Sequence, residues 1–370
     1  MSAERVLRRP RAAGSLEVAP PGGAPLRFHA SMDGYAPTPL RAAPAAAAAL
    51  GVAEVLVKDE SARLGMPSFK ILGASWAVHR ALVARAGRAL AEVPGLAALA
   101  ALAEGMRPLR LSAATDGNHG RAVAHMARLL GLEASVYVPQ GTAQARIDGI
   151  ASEGAAVSVV DGGYDDAVRR SALDAGERCL VISDTSWPGY QDVPRWVIEG
   201  YETIFAEIDE EAPGRFDAVA IPIGVGALAA AAIAHFWAGG GPRPALVGVE
   251  PTSAACVLAS VEAGDIVSLT EPQESIMAGL NCATPSLVAW PLTSRGIDVY
   301  VAIDDARVPG AMRMLAQDGI VAGETGAAGL AGMRCLAEQG DPAPLGPEAR
   351  VLLIVTEGAT DPEAYARLLG

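Results

Sequence analysis

The sequence predicts an α/β protein built on doubly wound, open parallel sheets. Three observations carry this reading. Short apolar runs alternate with helix-length segments almost from end to end, the pattern of strands joined by crossover helices. The nine strand-like runs are more than one small sheet holds, so two sheets are expected. Hydrophobic residues make up 51% of the 370 positions and charged residues 19%, which supplies a sizeable core and excludes global disorder.

In chain order the expected strands are EVLVKD near residue 55, LRLSAA near 110, ASVYVP near 135, AAVSVV near 157 and CLVIS near 181. They continue with FDAVAIPI near 219, ALVGVE near 247, DVYVAI near 300 and RVLLIVT near 353. Between them lie helical patterns such as ILGASWAVHRALVARAG, NHGRAVAHMARLLG, DDAVRRSALDAG and AAGLAGMRCLAEQG. Each connection is long enough for a right-handed crossover between parallel strands. The first 45 or so residues, rich in Pro and Ala, read as an irregular arm.

The run from Ala218 to Ala234 carries no charge and approaches the length of a membrane span. Pro222, Gly224 and Gly226 break it into a β-rich part and a helix-forming part, so a buried strand, a glycine loop and a core helix are expected instead. The net charge of −13 repels phosphate backbones and anionic lipid, which argues against nucleic-acid or membrane partners. The four cysteines form no CxxC pair and no Cys/His cluster at zinc spacing, so no metal is expected. The N-terminus has no apolar h-region, and a cytoplasmic protein is expected.

Ligand loops in open α/β folds lie at the C-terminal ends of strands. Three candidates stand there. In PSFKILGA (67–74), Lys70 opens a helix among apolar and small residues; such a lysine can form a Schiff base, or simply point to solvent. In SAATDGNHG (112–120), a strand end turns through Gly117 into a helix starting near Asn118. Asn118 could meet a ligand or cap the helix, and Asp116 is a candidate general base or a turn residue. His119 invites a catalytic role, but a histidine beside glycine at a helix start is more often structural. In PIGVGALAA (222–230), GVGA follows a strand and opens a helix whose amides suit a phosphate. A GxG alone is weak, and Glu250 at the end of ALVGVE keeps a dinucleotide reading open.

Taken together, SFKxLGA, then DGNHG, then GVGA resemble the fold-type II family of pyridoxal-phosphate enzymes, which includes threonine dehydratase and cysteine synthase. Within it, ATDGNHGRAVA, YVPQGTAQARIDGI, YDDAVR, SDTSWPGY, IMAGLNC, GETGAAGL and VTEGATD are similar to segments of the diaminopropionate ammonia-lyases, from about Lys58 to Asp361. The resemblance implies pyridoxal 5'-phosphate in a cleft between two domains, a larger one of residues 1–80 and 189–370 and a small mobile one of residues 81–188. It makes Lys70 the Schiff-base lysine and places Asn118 on the ring 3-oxygen. Gly224, Val225, Gly226 and Ala227 would cradle the phosphate, and Thr356 would face the pyridine nitrogen. A hydroxyl at that place weakens the ring as an electron sink and favours β-elimination over transamination.

By the same resemblance, Lys70 would take the α-proton of the L-isomer of 2,3-diaminopropionate and Asp116 that of the D-isomer. Asp184 in SDTSW would lie near the substrate with Thr115 and Asp116; its plainer reading is a turn or helix cap. Either Asp116 or Asp184 would supply a proton to the leaving amine. The family associates a disulfide with Cys256 and Cys282, whereas cytosolic redox poise favours two neighbouring thiols. A homodimer acting on a small amino acid is expected by analogy, with a β-replacement synthase or a serine/threonine dehydratase as the alternative.

Overall fold

The computed structural model describes residues 3–9, 16, 22–115, 117–212, 214–238, 242–340 and 344–370. They cluster into two compact units. One comprises Met1–Pro20, Pro37–Ala62 and Ile204–Gly370, the other Pro21–Ala36 and Arg63–Thr203.

The first unit holds a seven-stranded sheet. Its strands are β1 (Arg5–Arg8), β2 (Leu40–Ala42), β3 (Glu54–Asp59), β8 (Ala218–Pro222), β9 (Ala245–Pro251), β10 (Val299–Ile303) and β11 (Arg350–Val355). The second holds β4 (Arg110–Ala114), β5 (Glu133–Pro139), β6 (Ala156–Val160) and β7 (Cys179–Val181). The sheet orders are β1-β10-β9-β8-β11-β3-β2 and β6-β5-β4-β7. Nine strands match the apolar runs of the sequence. The other two, β1 and β2, correct the irregular arm: each pairs antiparallel with an outer strand, β1 on β10 and β2 on β3, while the inner pairs are parallel. Helices Ala24–His29 and Pro44–Leu50 also lie in that stretch. Runs as short as RVLR and LRA, bonded to the sheet along one side only, leave little apolar periodicity to read.

The first unit's core is a face of β-branched residues, among them Val55, Val57, Val249, Val301 and Val355, packed against Leu330, Met333 and Leu336 of helix Ala328–Glu338. That helix sits close because Gly332 has no side chain; a Cβ there would stand 2.4 Å from Val249 Cγ2. The uncharged 218–234 run divides into β8 and helix Ala227–Ala238. No helix among the described residues is long and apolar enough to cross a membrane.

In the second unit, helix Lys70–Arg85 packs on helix Asn118–Leu130. It also meets helix Asp192–Glu211 backbone to backbone, since a Cβ on Gly200 would stand 2.5 Å from the Leu72 carbonyl oxygen. These contacts gather residues 63–80 and 189–203 with the four-stranded sheet, where the sequence had grouped them with the larger domain.

Both sheets come apart at one place. β4 stays paired with β5 up to Ala114 and Tyr137, but its pairing with β7 ends at Ser112 and Val181. β11 stays paired with β3 up to Val355 and Asp59, but its pairing with β8 ends at Leu353 and Ala220. Each split lies where the winding of the sheet reverses direction, the position at which open α/β sheets bind ligands.

Candidate active site

In the four-stranded unit the split is lined by the turn after β4 and the loop after β7. Gly117 adopts φ +149°, a conformation that strains any residue with a side chain, and its amide donates to Thr115 Oγ1 at 2.9 Å. Thr115 is buried. Asn118 begins the following helix. Asp116 lies outside the described residues. After β7, the ring of Trp187 stacks on that of Tyr190 at 4.2 Å, and the two residues exchange backbone hydrogen bonds. Tyr190 also donates its hydroxyl to the Val181 carbonyl oxygen at 2.6 Å and accepts from the Ser183 amide. This tight loop fixes Asp184.

Lys70 is the first residue of its helix, followed by the buried residues Ile71, Leu72 and Gly73. Its Nζ donates to Asp184 Oδ2 at 2.7 Å. Tyr164, first in helix Tyr164–Ala172, donates its hydroxyl to Asp184 Oδ1, also at 2.7 Å. His119 Nδ1 stands 4.0 Å from Asp184 Oδ2. The opposite ring nitrogen, Nε2, is 2.8 Å from the Ile182 carbonyl oxygen and so carries the proton. Nδ1 is therefore an acceptor, and it has no hydrogen-bond partner among the described residues.

Burial would raise the Asp184 carboxyl, but the Lys70 ammonium and the hydrogen bonds from Lys70 and Tyr164 outweigh it and hold the group well below the usual carboxylate range. Burial lowers His119, so its ring is neutral at neutral pH and Lys70 carries the charge that matters to Asp184. The structure thus brings Lys70 and Asp184 together. Tyr164 and the acceptor nitrogen of His119 were not singled out by sequence reasoning; YDDAVR, which contains Tyr164, was the available signal.

In the seven-stranded unit the split is lined by Gly224–Ala227 and by the segment after β11. Gly226 has φ +97°, and a Cβ there would stand 3.0 Å from Thr293 Cγ2. A Cβ on Gly224 would meet the Gly279 carbonyl oxygen at 3.1 Å and Cys282 Sγ at 3.2 Å. Val225 is buried and its carbonyl accepts from the Ser286 amide at 2.9 Å. Ala227 starts a helix of twelve residues, so the amides of this loop lie at a helix N-terminus. Thr356 is 3% exposed, and its hydroxyl makes no hydrogen bond among the described residues. A buried hydroxyl without a partner and a side-chain-free cradle at a helix N-terminus are the features a ring nitrogen and a phosphate require, so these residues fit pyridoxal phosphate.

The four cysteines are buried and form no disulfide. Cys256 and Cys282 both stand beside Gly224, Cys256 Sγ lying 3.7 Å from the Gly224 carbonyl oxygen. Glu250 is turned inward, and its two carboxylate oxygens accept the amides of Val257 and Leu258 at 2.8 and 2.9 Å. It caps a helix and cannot reach a ribose, which removes the dinucleotide reading.

The profile of the family described as "Pyridoxal-phosphate dependent enzyme" matches residues 32–357. Diaminopropionate ammonia-lyase of Escherichia coli (strain K12) is 34% identical over 362 residues, covering 93% of this chain and 89% of the relative. The protein of that name from Salmonella typhimurium (strain LT2) is 33% identical over 366 residues, covering 92% and 89%. A crystal structure of the Escherichia coli diaminopropionate ammonia lyase, in complex with an aminoacrylate–pyridoxal-phosphate azomethine intermediate, superposes with a TM-score of 0.89. It has 31% identity and covers 99% of this chain and 97% of that one. With this fold and these two splits, the chain belongs to the pyridoxal-phosphate dependent enzymes, in the family of the diaminopropionate ammonia-lyases.

Proposed function

We propose that the protein catalyses β-elimination of ammonia from D- and L-2,3-diaminopropionate, giving pyruvate and a second ammonia, with pyridoxal phosphate as cofactor. The observation that carries this reading is the contact of the half-buried Lys70 with the buried Asp184, 2.7 Å long, in a chain of this family. When bound, the cofactor supplies an electron sink for the pair of electrons left on the α-carbon. Lys70, Asn118, the amides of Gly224, Val225, Gly226 and Ala227 and the hydroxyl of Thr356 would hold it.

Lys70 is the base for the α-proton of the L-isomer, and Asp116 is the base for that of the D-isomer. Thr115 serves the substrate through the turn that its hydroxyl holds. The β-amine of the substrate arrives protonated. Asp184, held low, is a poor proton donor at neutral pH, and its role is to bind that ammonium as an anion. A cytoplasmic homodimer belongs to the same proposal; four buried thiols suit a reducing compartment.

The test is pyruvate release by protein loaded with pyridoxal phosphate and offered D- and L-2,3-diaminopropionate, serine and threonine separately. Release from both diaminopropionate isomers is the expected result. Turnover of the hydroxy amino acids alone would move the protein to the dehydratases, and product formation only on adding a thiol or amine would make it a β-replacement synthase. Asp116→Asn is expected to lower turnover of the D-isomer by about a hundredfold while sparing the L-isomer; equal losses on both would refute the two-base scheme.

A further inference from the structure

We propose that Tyr164 is a positioning residue: its hydroxyl fixes one oxygen of Asp184 so that the other faces an alkylammonium, which selects substrates with a β-ammonium over those with a β-hydroxyl. This rests on the reading above, in which Lys70 leaves Asp184 when the cofactor is held.

The geometry around Asp184 is asymmetric. Oδ1 is taken by Tyr164, and Oδ2 by Lys70. Tyr164 is held independently of Lys70, because its helix starts at a capped turn in which Asp166 accepts the Gly163 amide at 2.9 Å. Lys70 Nζ is itself an alkylammonium, so the Oδ2 position already accommodates the group that a β-ammonium would present. A second acceptor, His119 Nδ1, stands 4.0 Å from Oδ2 and has no hydrogen-bond partner among the described residues. One ammonium nitrogen can donate to both acceptors, since it carries three protons, whereas a hydroxyl carries one and can satisfy one of them. The rejection of a ligand that leaves a buried acceptor unpaired is the stronger form of specificity.

Among the described residues, four titratable groups face Asp184, each from a different segment. Lys70 comes from its helix start, His119 from the helix after β4, Tyr164 from the helix after β6, and Tyr190, raised by its own burial and by the nearby Asp184 charge, from the loop after β7. Once Lys70 is engaged elsewhere, Tyr164 is the residue among these whose hydroxyl bonds Asp184 directly. Without it the carboxylate is free to turn, and its affinity for a proton rises.

The experiment compares the wild type with Tyr164→Phe, Asp184→Asn and the double variant, all loaded with pyridoxal phosphate. It measures pyruvate release from L-2,3-diaminopropionate, inhibition or turnover with L-serine, and ligand binding followed by the visible absorbance. Tyr164→Phe is expected to raise KM for diaminopropionate about tenfold with kcat within about threefold, and to leave the constant for serine within about twofold. The acid limb of kcat/KM should move up by about one pH unit. Adding Tyr164→Phe to Asp184→Asn should change nothing further. Equal weakening of both ligands, an unmoved acid limb or additive losses would overturn the proposal. If the wild type releases no pyruvate from diaminopropionate, the proposed reaction fails. The absorbance titration then decides on Tyr164 alone: selective loss of diaminopropionate binding supports the proposal, and equal loss overturns it.

Discussion

The β4/β7 split and the β8/β11 split are made by the same device, two parallel neighbours that stop pairing one or more residues before their loops diverge. The side chains placed there differ in kind. The four-stranded unit presents Lys70, His119, Tyr164 and Asp184, four groups able to gain, lose or share a proton within hydrogen-bond reach or nearly so. The seven-stranded unit presents two glycines, a helix N-terminus and a lone hydroxyl, none of which titrates near neutral pH. The difference teaches that a topological switch point supplies a place and leaves the chemistry to the loops. In this chain the groups are divided, titratable side chains at one split and glycines, a helix N-terminus and a hydroxyl at the other.

The division can be broken most severely at Lys70. Lys70→Ala is expected to abolish the visible absorbance of the loaded protein and to lower turnover by about a thousandfold or more. It also leaves Asp184 buried without its cation, so the apoprotein should lose about 3 kcal/mol; an unchanged spectrum would remove Lys70 from the reactive side. Gly224→Asp attacks the grip. The new Cβ must displace the Gly279 carbonyl or Cys282, at 3.1 and 3.2 Å, and the new charge repels a phosphate. Cofactor retention through dialysis should fall by about two orders of magnitude, with turnover restored by excess cofactor. A fully loaded variant would count against the loop.

Thr356→Val sharpens the comparison. The hydroxyl has no hydrogen-bond partner among the described residues, so the apoprotein should keep its stability or gain about 1 kcal/mol, while the loaded enzyme loses turnover. A destabilised apoprotein would mean that Thr356 serves the core. The smallest effect concerns pH. Asp184 is lowered and His119 is lowered, so in both cases the unfolded chain binds more protons. Each contribution to stability is therefore present above the unfolded pKa, near 6.5 for His119 and near 3.8 for Asp184, and is lost as pH falls. Acid melts of the apoprotein should flatten below about pH 4 in Asp184→Asn, while the loss that begins near pH 6.5 with His119 persists.

What could be read from the sequence follows the same division. Glycine between a strand and a helix is a local pattern, so GVGA could be placed at the start of its helix from the sequence, but its proposed part in holding the cofactor, like that of Thr356 in VTEGAT, came from the family resemblance. Lys70 was legible for the same reason. Its environment was not, because Asp184 lies 114 positions away and Tyr164 reaches Asp184 from the start of another helix. His119, read as structural, is held like a structural histidine through Nε2 and yet turns its acceptor nitrogen toward the site. Seven of the nine strands read from the sequence have neighbours on both sides, and β6 and β7, paired along one side, still carry short apolar runs; β1 and β2, of four and three residues, were too short to show one.

Those two strands have a practical meaning for anyone reshaping the chain. Both outer margins of the seven-stranded sheet are hemmed by the first 42 residues, β10 by Arg5–Arg8 and β3 by Leu40–Ala42. A version trimmed to begin at the first long apolar run would keep every residue assigned to the reaction. It would also bare two rows of backbone amides and carbonyls, which is the template on which chains stack into aggregates.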